Sequence, residues 1–96
     1  MNYIISYEAG NDLDDIWRYT IENWSEEQAE RYFKLIFEEI EYLCKNPQSA
    51  TDYGHLRKGY FRSKVKSHLI FFKINKSKEL EIIRILHQMM DIENHI

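Results

Sequence analysis

Four side chains in the second half of the sequence carry the chemistry that stands out: Arg57, Arg62, Arg84 and His87. A guanidinium is a planar fork of donors that grips a phosphate or carboxylate with two bonds, and an imidazole titrates close to neutral pH. Such a set can bind an RNA phosphodiester, with Arg62, Arg84 and His87 assisting attack of a 2′-hydroxyl on its own phosphate. The same residues have a plainer reading. Arg84 lies inside the apolar run "LEIIRILH", in step with Leu80, Ile82 and Leu86. An unpaired buried charge there is strongly unfavourable, so its guanidinium must reach a carboxylate, a chain end or solvent. His87 is then either a fixture of the strand end or a proton carrier.

Other chemistries find less support. His55, His68, His87 and His95 are scattered singly. To hold a metal, His87 and His95 would need a helix between them and a third ligand, so neither metal nor cofactor is expected. With Gly 3, the chain shows no phosphate-cradling loop and no nucleophile elbow. Cys44 falls on the stripe of Ile40 and Leu43 and reads as a small buried hydrophobe with no base to activate it. Trp17, Trp24 and Tyr32 could stack on nucleobases, but their helical spacing with Leu13, Ile21 and Phe33 places them in a core.

Charge is unevenly distributed. Residues 1 to 50 carry four basic side chains against eleven acidic ones, and residues 51 to 96 carry nine basic against five acidic. No carboxylate lies between Arg57 and Lys78. An anionic partner on one face and an ordinary solvated surface both fit that split. A single cysteine, no basic apolar leader before Tyr3 and no apolar run near the roughly 20 residues of a membrane helix predict a protein of the reducing cytoplasm with no membrane partner.

The elements that must position these groups follow from periodicity. "NYIISY" alternates as a first strand, ending by Gly10. Leu13, Ile16, Trp17, Thr20, Ile21 and Trp24 then keep one helical face, with Asp12, Asp14 and Asp15 in the first turn, where the helix dipole favours negative charge. "SEEQ" supplies Ser25 and Gln28 as a capping box that starts a second helix, whose stripe runs from Ala29 through Tyr32, Phe33, Ile36, Phe37, Ile40 and Leu43 to Cys44. It should end near Asn46, because Pro47 disfavours helical geometry in the residue before it. Helices so closely joined pack as an antiparallel hairpin. "PQSATDYGHLRKG" reads as a loop, with room for a short helical turn. "YFRSKVKS", "HLIFFKI" and "ELEIIRILH", with "NKSK" as a turn, form an antiparallel meander. The expectation is one α+β domain over residues 1–96: an N-terminal strand, a two-helix hairpin, then three antiparallel strands in one sheet, with the first strand beside a later one.

"DLDDIWRYTIENWSEEQAERYFKLIFEEIEYL", "NP", "LRKGYFRSKVKSHLIFFKI" and "EIIRILHQMMD" together resemble, in order and over nearly the whole chain, the ParE branch of the RelE/ParE toxin superfamily. The ending "RILH" with the following "MD" is the most specific part. The resemblance implies a bacterial toxin of plasmid or chromosome stabilisation modules, with the helical-hairpin-on-sheet fold. It implies neutralisation by a ParD-like antitoxin whose C-terminal segment wraps the toxin and which alone contacts operator DNA. It also implies DNA gyrase as the target, with the toxin acting as an inhibitor and not as an enzyme. On that reading Arg57, Arg62, Arg84 and His87 are target-binding candidates, and Trp17, Tyr32, Phe33 and Phe37 on the hairpin are antitoxin-binding candidates. The antitoxin would contribute an amphipathic helix, basic because the hairpin is acidic, and a strand paired with a sheet edge.

RelE-type relatives cut messenger RNA in the ribosome with basic residues and a terminal tyrosine, or with a Glu/Arg/His set and terminal aromatics. This chain ends "DIENHI". An RNA-cutting enzyme built on Arg62, Arg84 and His87 is the alternative, followed by a non-toxic relic that only binds antitoxin. Met89 stands where many ParE sequences have arginine, Phe72 where tyrosine is frequent and Tyr7 where proline is.

Overall fold

The computed structural model describes residues 1–96. Strand β1 (Tyr3–Ile5) leads into helix α1 (Tyr7–Asn23), then α2 (Glu26–Lys45), a 3-10 turn at Pro47–Ser49, and strand β2 (Thr51–Asp52). Strands β3 (Phe61–Val65), β4 (His68–Ile74) and β5 (Leu80–His87) follow, and a short helix α3 (Ile92–His95) ends the chain. One sheet has the order β1-β5-β4-β3-β2, with β1 parallel to β5 and every other pair antiparallel. This is the α+β arrangement read from the sequence, with the hairpin and the meander in the expected order.

The first helix begins earlier than its apolar stripe suggests. Ser6 is the N-cap: its side chain accepts from the Ala9 amide at 3.1 Å and donates to the Ile83 carbonyl at 2.9 Å, while its own amide donates to Ile82 at 3.0 Å. One serine therefore stops β1, starts α1 and ties the joint to β5. Asp12, Asp14 and Asp15 consequently lie beyond the first turn, where Glu8 is the acidic residue. Ser25 starts α2 as expected, accepting from the Gln28 amide at 3.0 Å.

The hairpin covers one face of the sheet. Leu13 and Ile16 of α1 and Ile36, Ile40 and Leu43 of α2 pack with Val65, Ile70, Phe72, Leu80, Ile82 and Ile85. Cys44 joins this core, and burial pushes its thiol pKa up. Trp24 departs from the expected core: it is the C-cap that follows α1 and is 73% exposed, and Ile21 is exposed too. Each fully buried side chain of Leu or Phe size contributes roughly 1.5–3 kcal/mol, so the inner layer carries most of the stability.

The opposite face is not bare. Leu69, Phe71 and Leu86 form a second, smaller cluster roofed by Tyr53, Ile92 and Ile96. The loop after β2 and the C-terminal helix thus make a thin third layer.

The face each residue takes on β5 is set by a bulge. Phe72 pairs with Ile82 and Phe71 with Arg84, so Ile83 is an extra residue on β5. Leu80, Ile82 and Ile85 join the inner core, whereas Leu86 joins the outer cluster and Arg84 pairs with Phe71 of that cluster. The expected alignment of Arg84 with Leu80 and Ile82 fails for this reason: an inserted residue resets the two-residue period of a strand.

Candidate functional site

Arg84 sits where the edge of β5 opens. β1 pairs with Leu80 to Ile82 only, so the edge beyond needs another partner, and α1 supplies it. Asp12 accepts Nε of Arg84 at 2.8 Å, Nη2 at 2.9 Å and the Ile85 amide at 2.9 Å. Nη1 donates to Glu8 at 3.2 Å and to the His95 carbonyl at 3.0 Å. The side chains of Arg84 and Asp12 are 17% and 11% exposed. The hydrogen bond to Asp12, outweighing desolvation, pushes the Arg84 pKa above its usual value. The guanidinium therefore ties α1, β5 and α3 into one knot, and four bonds occupy most of its five N–H groups.

The other basic candidates lie away from this knot. Thr51, Arg62, Phe71 and Arg84 are successive partners across the sheet, so Arg62 and Arg84 share a face with β4 between them, two strand spacings or about 10 Å apart. Arg62 lies over the Tyr53 ring at 5.1 Å, and Tyr53 meets Phe71 edge-on at 5.5 Å. Arg57 lies over Tyr60 at 5.9 Å in the turn before β3.

His87 faces the other way. It is the partner of His68, and both line a cleft of about 760 Å³ between α1, α2 and the ends of β4 and β5. The candidate quartet is thus divided: Arg62 and Arg84 on the outer face, His87 on the hairpin side, and Arg57 in a loop. Ile16, Tyr19, Trp24, Ile85 and Met90 give the cleft its apolar walls, and Asp12, Asp15, Thr20, Gln28, Tyr32 and Ser67 its polar ones.

Hydrogen bonding fixes the two imidazoles. Tyr32 Oη donates to the Val65 carbonyl at 3.2 Å and lies 2.5 Å from Nδ1 of His68. The Met89 amide donates to Nδ1 of His87 at 3.1 Å. The two rings meet edge-to-face, centroids 5.2 Å apart. Burial first, then the neighbouring His87, lowers the His68 pKa to about 4, against a smaller upward pull from Asp12. Neither Nε2 has a protein partner, and neither is sealed from solvent.

Of the hairpin candidates, Tyr32 reaches the cleft, while Phe33 and Phe37 are half-buried against the core, with Trp17 edge-on to Phe33 at 5.0 Å. His55 packs on Tyr53 at 4.6 Å, and Nδ1 of His95 lies 2.7 Å from the Asp91 carbonyl. No three His, Cys, Asp or Glu side chains are placed to hold a metal ion. Sequence reading missed the pairing of His68 with His87 and the role of Asp12, and it put Trp24 in the core instead of on the cleft rim.

Comparison with known proteins agrees with this architecture. A solved chain from the "Chromosomal ParDE TA system from P. aeruginosa" superposes with a TM-score of 0.78 at 20% identity, over 91% of this chain and 95% of that one. Toxin ParE1 of Caulobacter vibrioides is 37% identical over 94 residues, 98% of this chain and 96% of the relative. Toxin ParE1 of Mycobacterium tuberculosis is 29% identical over the same length, and Toxin ParE of Escherichia coli 28% over 90 residues. The model of the ParE toxin of the type II toxin-antitoxin system, parDE, matches residues 3–92. The chain therefore belongs to the ParE toxin family of type II toxin–antitoxin systems.

Proposed function

We propose that this chain arrests growth by inhibiting DNA gyrase in the cytoplasm, and that a ParD-like antitoxin neutralises it and alone connects it to operator DNA. The observation that carries the choice of gyrase over RNA cleavage is the division of Arg62, Arg84 and His87. Phosphodiester cleavage needs its acid, base and phosphate-gripping groups around one phosphorus. Here Arg84 is consumed by Asp12, Glu8 and the His95 carbonyl, while His87 lies on the other side of the sheet. The outer face, with Arg62 stacked on Tyr53 and Lys64 and Lys73 beside it, is the surface offered to the target.

The antitoxin takes the opposite side. An amphipathic helix laid along the acidic hairpin, with its apolar face against Ile16, Tyr19, Trp24 and Met90, fits the cleft. The edge of β3 past Arg62, where β2 stops, suits an added strand.

Induced expression of the chain, with and without the neighbouring gene, followed by pulse labelling of DNA and protein synthesis, tests the reading. DNA synthesis should stop first and the neighbour should restore it, and the purified chain should inhibit gyrase supercoiling. Prompt arrest of translation with cleaved messages would overturn the gyrase assignment in favour of the nuclease.

A further inference from the structure

The cleft beside the hairpin lacks lysine and arginine, and its charge calls for one. Asp12, Asp15, Ile16, Tyr19 and Thr20 line it from one face of α1, and Trp24 from the end of that helix. The two carboxylates differ. Asp12 is 11% exposed and is spent on Arg84 and the Ile85 amide. Asp15 is 74% exposed and pairs through Oδ1 with Arg18 at 3.3 Å, an exposed contact of the kind that water and salt weaken. Tyr19 follows Asp15 by one helical turn, so a carboxylate and an exposed aromatic ring stand side by side. A second observation has the same sign: α1 carries no basic residue in its last turn, which leaves the negative end of its dipole uncompensated at the cleft rim. His68 adds no opposing charge at neutral pH, because burial and then His87 lower its pKa to about 4. An anion entering here would meet Asp15 and no cation. A cation on an apolar stem finds a carboxylate, the rings of Tyr19 and Trp24, and apolar walls for the stem.

We propose that the cleft seats a basic side chain, arginine or lysine, of the antitoxin's toxin-binding segment, with its charged head on the Asp15 carboxylate and the Tyr19 and Trp24 rings and its methylene stem against Ile16, Ile85 and Met90. The proposal rests on the reading that the antitoxin occupies this cleft. Arg18 faces Oδ1 of Asp15, so Oδ2 is the oxygen offered to the newcomer. Covering the site with the rest of the segment removes water from this pair, which strengthens it beyond an exposed ion pair. The same carboxylate discriminates, because a segment that brings an acidic side chain to this place is repelled.

Titration calorimetry of the full chain with the antitoxin encoded beside it tests the seat. Asp15→Asn removes the carboxylate at the cost of one exposed ion pair, so the fold should stand. Asp14→Asn makes the same change of net charge at the neighbouring position, which is exposed and does not line the cleft. We expect D15N to weaken binding by roughly 5- to 20-fold and D14N by less than about twofold. Each arginine and lysine of the antitoxin segment is then changed to methionine in turn. One of these changes should weaken binding to the wild-type chain and have little further effect on D15N, the mark of a direct pair. Equal losses in D14N and D15N, or no basic residue coupled to Asp15, overturns the proposal. Trp24→Ala separates the two layers of the argument. Weakened binding in W24A with unchanged binding in D15N rejects the basic side chain alone, whereas unchanged binding in W24A rejects the cleft as the docking site and the proposal with it.

Discussion

Arg84 and His87 lie three residues apart on one strand, yet they differ in almost everything that decides a role. Arg84 is closed: its donors are spent on α1 and α3, and it completes a sheet edge that β1 leaves unpaired. His87 is open: one nitrogen takes the Met89 amide and the other faces a cleft beside His68. The contrast teaches that residue type alone does not mark a binding group. What matters is whether the surrounding fold has already used its hydrogen-bonding capacity.

Breaking the closed region should have the largest effect. Arg84→Gln leaves Asp12 without its cation, and removing one partner of a mostly buried, bidentate pair costs about 2–4 kcal/mol. Urea unfolding should show that loss, a large part of the roughly 5–15 kcal/mol that holds a domain together. The open region should respond in binding and barely in stability. Trp24→Ala removes a side chain that is 73% exposed, so stability should move by no more than about 0.5 kcal/mol. Affinity for the antitoxin should fall by roughly 10- to 30-fold, as expected of an aromatic anchor.

Acid sharpens the comparison. His68 has a folded pKa of about 4, below the ordinary value of 6.5. The unfolded chain therefore binds more protons between those limits, and stability is full above pH 6.5 and lost as pH falls toward 4. With solvent screening of a partly exposed ring, the loss should be on the order of 1–2 kcal/mol. It should be measurable by unfolding at two pH values and absent in His68→Gln. The smallest stability effect belongs to Arg62→Ala. An exposed cation–π contact is worth about 0.5–1 kcal/mol, so the fold should tolerate its loss while inhibition of gyrase weakens.

Much of this molecule was legible in its sequence, and the failures have definite causes. The hairpin and the meander followed from apolar spacing, and Ser25 marked the start of α2 because a side-chain cap is a local signal. The start of α1 was hidden because Ser6 gains its role from Ile82 and Ile83, distant residues that no local pattern announces. The histidine pair was hidden by one residue. Counting back from the pairing of Ile74 with Leu80 sets His68 against Leu86, and only the extra residue Ile83 moves its partner to His87. That bulge also turned Arg84 away from Leu80 and Ile82, so one irregularity accounts for both misplacements. Trp24 kept the helical period of a core residue, but α1 ends at Asn23, and Trp24, its C-cap at φ −132° and ψ −92°, leaves the geometry that the period assumes.

The central claim is that Arg84 serves architecture and leaves the recognition of partners to other residues. A double-mutant cycle on Asp12→Asn and Arg84→Gln, read by urea unfolding of the single and double variants, tests it most directly. The account predicts a coupling on the order of 2 kcal/mol, with the double variant little worse than either single one. Additive losses, with each substitution acting as though the other residue were absent, would contradict it.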